Sequence, residues 1–178
     1  MATIDLIVLG MVKQQAMSAY DIQKLVEYRN ISRWVKISTP SIYKKVIQLE
    51  KKGYLTSSSV QEGNKAEKAI YSLTAEGQKE FEALMLEISQ QPIHIFLDFN
   101  AVMVNLSSLP PEEQKVCIAN IEHNVLQLKA NLTENLAAKE HATEIPKTGL
   151  AVLQQQMVLA EAIEGWIQEV KAGFKAEQ

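Results

Sequence analysis

Residues 39–53 read TPSIYKKVIQLEKKG and predict the best-delimited helix of the chain. Thr39 is a suitable N-cap, and Pro40 suits the first helical position, where its missing N–H costs nothing. Gly53 predicts a left-handed stop at the other end. Three aliphatic residues at spacings of four and three predict one buried stripe: Ile42, Val46 and Leu49. The opposite face is predicted to carry donors and cations but no acid: Ser41, Lys44, Lys45 and Gln48.

Two helices are predicted before this one and a hairpin after it. Residues 4–12 are apolar on nearly every side, which favours a short buried helix and leaves a strand open. Ser18 suits the N-cap of a second helix, whose apolar side is predicted to consist of Tyr20, Ile22, Leu25 and Val26. Residues 54–60 and 69–73 predict two strands around a polar turn, and Thr74 predicts the cap of a fourth helix. This is the element order of a winged helix-turn-helix.

The second half of the chain predicts long helices. Residues 93–106 are strongly apolar and predict one helix, a second begins near Glu112, and a loop over 143–149 precedes the last. Apolar residues at spacings of three and four predict an antiparallel hairpin that packs on itself, on a partner, or on both. The residues predicted to mediate dimerisation are Ile121, Val125, Leu128, Leu132, Leu153, Met157, Ile163, Ile167 and Val170. The expected fold is mainly α: a winged helix-turn-helix with a two-stranded wing over residues 1–89, and an α-helical dimerisation domain over 90–178.

The composition of the 178 residues is that of a globular chain, with 47% hydrophobic and 22% charged residues. The net charge of −3 hides an asymmetry, because residues 1–73 carry +5 and residues 74–178 carry −8. A basic first half can attract a polyanion although the whole chain is acidic. The single cysteine excludes an internal disulfide, no stretch is long enough to span a membrane, and the N-terminus lacks a signal peptide's basic region. We therefore expect a cytoplasmic protein.

No motif indicates an enzyme. The three histidines, His94, His123 and His141, lie in separate segments without a second ligand at helical spacing. Phosphate-binding and nucleophile motifs are absent from the sequence. Cys117 near a helix start favours packing over a redox sensor. We expect no catalytic residue, no metal and no cofactor.

The cationic helix and the hairpin predict binding to double-stranded DNA. A donor-rich helix can enter the major groove, where each base pair shows a distinguishable pattern. The hairpin tip, with Lys65 and Lys68, can reach phosphates or the minor groove. The alternatives are a solvated helix face, or a winged helix that contacts proteins without affinity for DNA. The succession of cap, proline, cationic face, glycine and charged hairpin favours DNA.

Residues 39–55 resemble the recognition-helix signature of the PadR family of bacterial transcriptional regulators, through an aliphatic-Tyr pair, Leu-Glu and Gly-Tyr-Leu. Residues 69–77, AIYSLTAEG, resemble the family's second wing strand, Tyr-x-Leu-Thr-x-x-Gly. Residues 7–10 and 18–22 resemble its first two helices, with Ala19 in place of the usual glycine. The resemblance covers about residues 4–80.

The resemblance implies a homodimeric repressor with DNA-facing residues around Tyr43. Together with the cationic face and the wing, the predicted DNA-binding residues are Thr39, Ser41, Tyr43, Lys44, Lys45, Gln48, Lys65 and Lys68. Some members of the family hold flat aromatic effectors against a tryptophan. By that resemblance, Trp166 or Trp34 is expected on the wall of an effector pocket where the helical domain meets the winged helix; the alternative is ordinary packing.

Overall fold

The computed structural model describes residues 2–61, 67–139, 142 and 145–176. They form two compact units, one up to His94 and one from Ile95 onward. In the first unit the described elements are α1 (Ala2–Gln14), α2 (Ala19–Tyr28), α3 (Ser41–Lys51), β1 (Leu55–Val60), β2 (Lys68–Leu73) and α4 (Ala75–Ser89). In the second they are α5 (Asn100–Asn105), α6 (Pro111–Lys139) and α7 (Lys147–Ala176). Helix α4 ends at Ser89, and residues 90–94 group with the first unit.

The first segment of the chain is a helix, so the strand alternative for residues 4–12 is wrong. Val8 and Leu9 are fully buried, and Ile4, Met11 and Val12 are nearly so. A helix that is apolar on nearly every side is stable when other elements cover it, and α2, α3, β2 and α4 all contact α1. This helix therefore forms the centre of the first unit.

Ser18 caps α2 as predicted. Its hydroxyl accepts a hydrogen bond from the Asp21 N–H, and the Asp21 carboxylate accepts one from the Ser18 N–H, which makes a capping box. The prediction for Tyr20 is wrong, because its side chain is 53% exposed while Ile22 and Val26 are fully buried. Tyr20 precedes Ile22 by two residues, and side chains at that spacing do not share a helix face.

The boundaries of α3 are confirmed at its end and corrected at its start. Gly53 has φ +76°, the left-handed conformation predicted for the residue that stops the helix. At the other end Pro40, not Thr39, is the cap residue, and no side chain caps the helix. The Thr39 carbonyl instead accepts the Ile42 N–H at 3.1 Å in a turn that leads into the helix. The stripe of Ile42, Val46 and Leu49 is at most 1% exposed, as predicted.

The hairpin pairs β1 with β2 in antiparallel register from Leu55 opposite Leu73 to Val60 opposite Lys68. Thr74 caps α4 as predicted, by accepting the Gly77 N–H at 2.9 Å. A Cβ on Gly77 would lie 2.0 Å from the Tyr54 carbonyl oxygen. The glycine in the wing pattern therefore lets α4 start directly against the base of β1.

The helix predicted over residues 93–106 is wrong for most of its length. Only Asn100–Asn105 is α-helical, followed by a 3₁₀ turn over Leu106–Ser108. Ile93 and Phe96 are 90% and 85% exposed. Isolated short helices are marginal in water, and helical stability comes mainly from burying one face, whereas the side chains of Ile93 and Phe96 are mostly exposed. Apolar composition alone was an insufficient signal here.

Helices α6 and α7 form the antiparallel hairpin that the apolar spacing predicts. Lys129 pairs with Glu164 and Lys171 with Glu122, so residues later in α6 lie beside residues earlier in α7. Between the helices Ile121, Val125 and Leu132 of α6 and Leu153, Ala160 and Ile167 of α7 are buried. The predicted loop over 143–149 is too long, because α7 begins at Lys147, directly after Pro146. Within the described segments, no helix has the length and apolar character that a membrane span requires.

Candidate nucleic-acid interface

The side of α3 opposite its buried stripe is open to solvent. Ser41, Lys44 and Gln48 are exposed on it, as the sequence predicts. Tyr43 is 43% exposed and Ile47 is 46% exposed on the same helix. The face thus combines a cation, hydroxyl and amide donors, a phenol and one aliphatic side chain. These groups match the acceptors, donors and methyl groups that base edges display in the major groove.

Lys45 lies away from this face. Its ammonium nitrogen is 2.7 Å from Asp5 Oδ1 of α1, and the two side chains are only 13% and 10% exposed. Asp5 Oδ1 accepts no well-aligned hydrogen bond from the described residues, so the contact is a charge pair rather than a directed bond. Lys45 follows Ile42 by three residues and precedes Leu49 by four, which places it beside the buried stripe. The sequence-based placement of Lys45 on the opposite face is therefore wrong.

A cleft of about 460 Å³ adjoins the N-terminal half of α3. Its walls are the start of α1, the segment 36–38 and α3, with Thr3, Ile4, Lys36, Ile37, Ser38, Ser41, Lys44, Lys45 and Gln48 as lining residues. Because Asp5 pairs with Lys45, the lining cations without a described acidic partner are Lys36 and Lys44. Lys36 was missed by the sequence analysis, although its position three residues before Thr39 and the absence of acids from 28 to 49 were readable signals.

The wing residue Lys68 already has an acidic partner within its own unit. Its ammonium donates to Asp21 Oδ2 at 2.7 Å and joins the start of β2 to the capping box of α2. This bond lowers the pKa of the Asp21 carboxyl below its ordinary value, against an opposing effect of burial. Lys68 remains about half exposed. The other predicted wing residue, Lys65, lies outside the described residues, as does His141.

The two tryptophans occupy different settings. Trp34 is partly buried and packs against the core of the first unit. Trp166 stacks on Phe99 with ring centroids 5.7 Å apart and an interplanar angle of 23°. These two rings line a pocket of about 390 Å³ within the second unit, together with Ile95, Leu97, Asn100, Leu128, Gln156, Leu159, Ala160, Ala162 and Ile163. Of the two tryptophans, Trp166 lines this cavity.

Most of the residues predicted for dimerisation are buried inside their own hairpin. Ile121, Val125, Leu132, Leu153 and Ile167 are at most 8% exposed within one chain. Met157, Ile163 and Val170 are intermediate, and Leu128 is 44% exposed. Leu128 is thus the residue of the predicted set with the most apolar surface available to a partner. In the described segments no group of three or more His, Cys, Asp or Glu side chains could hold a metal ion.

Three helices followed by a two-stranded hairpin, with a cationic third helix, define a winged-helix protein. Residues 8–83 match the sequence model of the family described as "Transcriptional regulator PadR-like family". Over these residues the winged-helix unit is therefore similar to the PadR-like family of transcriptional regulators. No sequence among the curated proteins matches it.

Solved structures of similar fold span nearly the whole chain. Bacillus subtilis PadR in complex with operator DNA matches with a TM-score of 0.82 at 21% identity, over 97% of this chain and 99% of that chain. Bacillus subtilis PadR in complex with p-coumaric acid matches with a TM-score of 0.75 at 20% identity, over 97% and 95%. The Vibrio cholerae virulence activator AphA matches with a TM-score of 0.72 at 22% identity, over 98% and 99%. Identities this low show a shared fold.

Lys44 and Lys45, which are neighbours in α3, should contribute differently to the free energy of unfolding. Lys45→Met leaves Asp5 unpaired in a largely buried position, so we expect a loss of about 1–3 kcal/mol in the free energy of unfolding, below the range for fully enclosed pairs. Lys44→Met, on the exposed face, should change it by less than about 0.5 kcal/mol. Urea denaturation followed by circular dichroism measures both.

The matched control removes both partners of the pair. Asp5→Leu combined with Lys45→Met leaves no unpaired charge and should recover most of the loss seen in Lys45→Met alone. Equal losses for Lys44→Met and Lys45→Met would contradict the assignment of the pair.

Proposed function

We propose that this PadR-like protein is a homodimeric transcriptional repressor that binds duplex DNA through α3 and responds to a small aromatic effector. The exposed face of α3 is the observation that carries DNA binding. Lys44, Ser41 and Gln48 stand there without an acid between Pro40 and Leu49. Glu50, the acid within α3, accepts a hydrogen bond from Ser57 of β1. The helix therefore offers positive charge and donors to an anionic, acceptor-rich surface.

Phosphate contacts and base contacts come from different parts of this surface. Cations supply affinity that depends on salt but carries no sequence information, whereas side chains that reach base edges specify sequence. We assign Lys44 and Lys36 at the cleft to phosphates, and Ser41, Tyr43 and Gln48 to groove contacts. We also assign Lys65 and Lys68 of the wing to phosphates. Asp21 already compensates part of the charge of Lys68, so we expect Lys44 to contribute more.

A homodimer follows from the need to read two half-sites with two copies of α3. The surface we assign to it lies on α6 and α7 and centres on Leu128 and Ile163, two residues that also line the pocket beside Trp166. Leu128 is 44% exposed in one chain, and burial of apolar side chains drives most protein association. The isologous contact of a two-fold dimer would bring the same patch from both subunits together.

Effector response is supported by the pocket of the second unit. Its lining is apolar apart from Asn100 and Gln156, its volume lies within the range of small-ligand sites, and the Trp166 and Phe99 rings offer a stacking wall. The similar Bacillus subtilis PadR has been solved with p-coumaric acid, a planar aromatic compound. A bound ligand can shift the population of DNA-binding conformations only if it prefers one of them.

The salt dependence of binding tests the DNA-binding role of α3. Selection from random duplex DNA should yield a preferred sequence for the parent. The slope of log affinity against log salt for that duplex should fall by about one unit in Lys44→Ala, because one phosphate contact is lost. Lys147→Ala, a lysine of the second unit, is the control and should leave the slope unchanged. A parent without salt-dependent affinity for any duplex would instead favour a protein-interaction module.

Sedimentation of Leu128→Lys tests the dimer. A charge in the patch should shift the protein from dimer to monomer at micromolar concentration, because an unpaired charge is costly to bury at an interface. Leu126→Lys is the matched control, since Leu126 is 45% exposed on α6 but lies outside the predicted seam. Ile167→Lys should unfold the hairpin, since Ile167 is fully buried. A parent that sediments as a monomer contradicts the proposal.

Tryptophan fluorescence tests the effector pocket. Titration with planar aromatic compounds, p-coumaric acid among them, should quench the emission saturably and weaken DNA binding by the parent. The quenching should disappear in Trp166→Phe and persist in Trp34→Phe, because only Trp166 lines the cavity. Quenching that disappears in Trp34→Phe instead, or no saturable response to any compound, would leave both tryptophans as packing residues.

A further inference from the structure

Ile47 is the aliphatic side chain on the polar face of α3. Its side chain is 46% exposed, whereas that of the preceding residue, Val46, is fully buried. Ile47 follows Tyr43 by four residues and Lys44 by three, so these side chains adjoin on one side of the helix. The helix therefore presents a short apolar strip, formed by Tyr43 and Ile47, directly beside a cation.

The position of this strip distinguishes it from ordinary surface apolar residues. Single exposed aliphatic residues are common and need no explanation. Here the phenol and the aliphatic group lie on successive turns of the helix that carries Lys44 and Gln48, and neither contributes to the buried stripe. The burial of Ile47 therefore contributes little to the stability of its own unit, and its side chain is available for a contact outside the chain.

We propose that Ile47 reads thymine 5-methyl groups in the major groove, with Tyr43 extending the apolar contact. This inference rests on the proposed function, because it assigns the base preference of the same helix. Among the groups that base pairs show in the major groove, the thymine methyl is the apolar one. Ile47 therefore fits an A·T pair better than a G·C pair.

Gln48 supports the same base preference. A glutamine amide can pair bidentately with N6 and N7 of adenine, and Gln48 is exposed next to Ile47. Residues adjacent in a helix point in different directions, so the two side chains would reach neighbouring base pairs. The structure therefore assigns to α3 a half-site with neighbouring A·T pairs, one read through its methyl group and one through its adenine edge.

Uracil substitution isolates the methyl contact. The probe is the duplex that the full-length parent selects from random DNA, with each thymine of the half-site replaced in turn by uracil, which lacks only the methyl. The parent should bind about four-fold more weakly when the contacted methyl is absent, the usual effect of one buried methyl group. Ile47→Ala should bind the uracil and thymine duplexes equally at that position, while Ile47→Val should keep most of the difference.

Lys44→Ala is the matched control, because it weakens binding to every duplex but should keep the same uracil effect. Circular dichroism and thermal unfolding verify that each variant folds as the parent does. Equal affinity of the parent for all uracil duplexes overturns the inference and leaves the proposed function standing, as does a uracil effect unchanged in Ile47→Ala. A parent that binds no duplex overturns both.

Discussion

The buried stripe of α3 is the constraint on which the rest of the winged-helix unit depends. Ile42, Val46 and Leu49 are at most 1% exposed and pack in a core that α1 and α2 share. Because each helical residue turns the chain by a fixed angle, burial of these three fixes the direction of every other side chain on the helix. Lys45 is directed to Asp5, and Lys44, Ile47 and Gln48 are directed outward. The packing that stabilises the unit thus also selects which side chains a ligand can meet.

The electrostatic potential of this unit depends more on where its charged side chains lie than on how many there are. Residues 1–73 carry a net charge of +5, yet two carboxylates of the first two helices each hold a lysine of another element: Asp5 holds Lys45, and Asp21 holds Lys68. These pairs connect α1 to α3 and the wing to α2. The exposed cations on and beside α3 are Lys36, Lys44, Lys51 and Lys52. Fewer lysines therefore contribute to the positive potential around α3 than the sequence indicates, and they cover a smaller part of the surface.

Local signals predicted most of the first unit. The Ser18 and Thr74 caps, the stop at Gly53, the apolar stripe of α3 and the hairpin are each encoded within a few neighbouring residues. The wrong predictions depended on contacts between distant residues, or they did not apply the helical spacing strictly. Lys45 was assigned by charge although its spacing from Ile42 and Leu49 places it inward, and its partner Asp5 is forty residues away. Helix was predicted over residues 93–106 from apolar content, but content without a covered face does not stabilise a helix.

The apolar heptad seam of the second unit is also relevant to association between chains. A seam at spacings of three and four indicates that a helix packs against another helix, without saying whether that helix belongs to the same chain. Here Ile121, Val125 and Leu132 meet Leu153, Ala160 and Ile167 within one hairpin, and the Lys129–Glu164 and Lys171–Glu122 pairs flank them. Most of the seam is therefore buried inside the chain. The surface for the proposed second copy has to come from residues that the hairpin leaves exposed, such as Leu128 and Leu159. In the proposed dimer, the contact residues therefore lie at the edges of the seam and not at its centre.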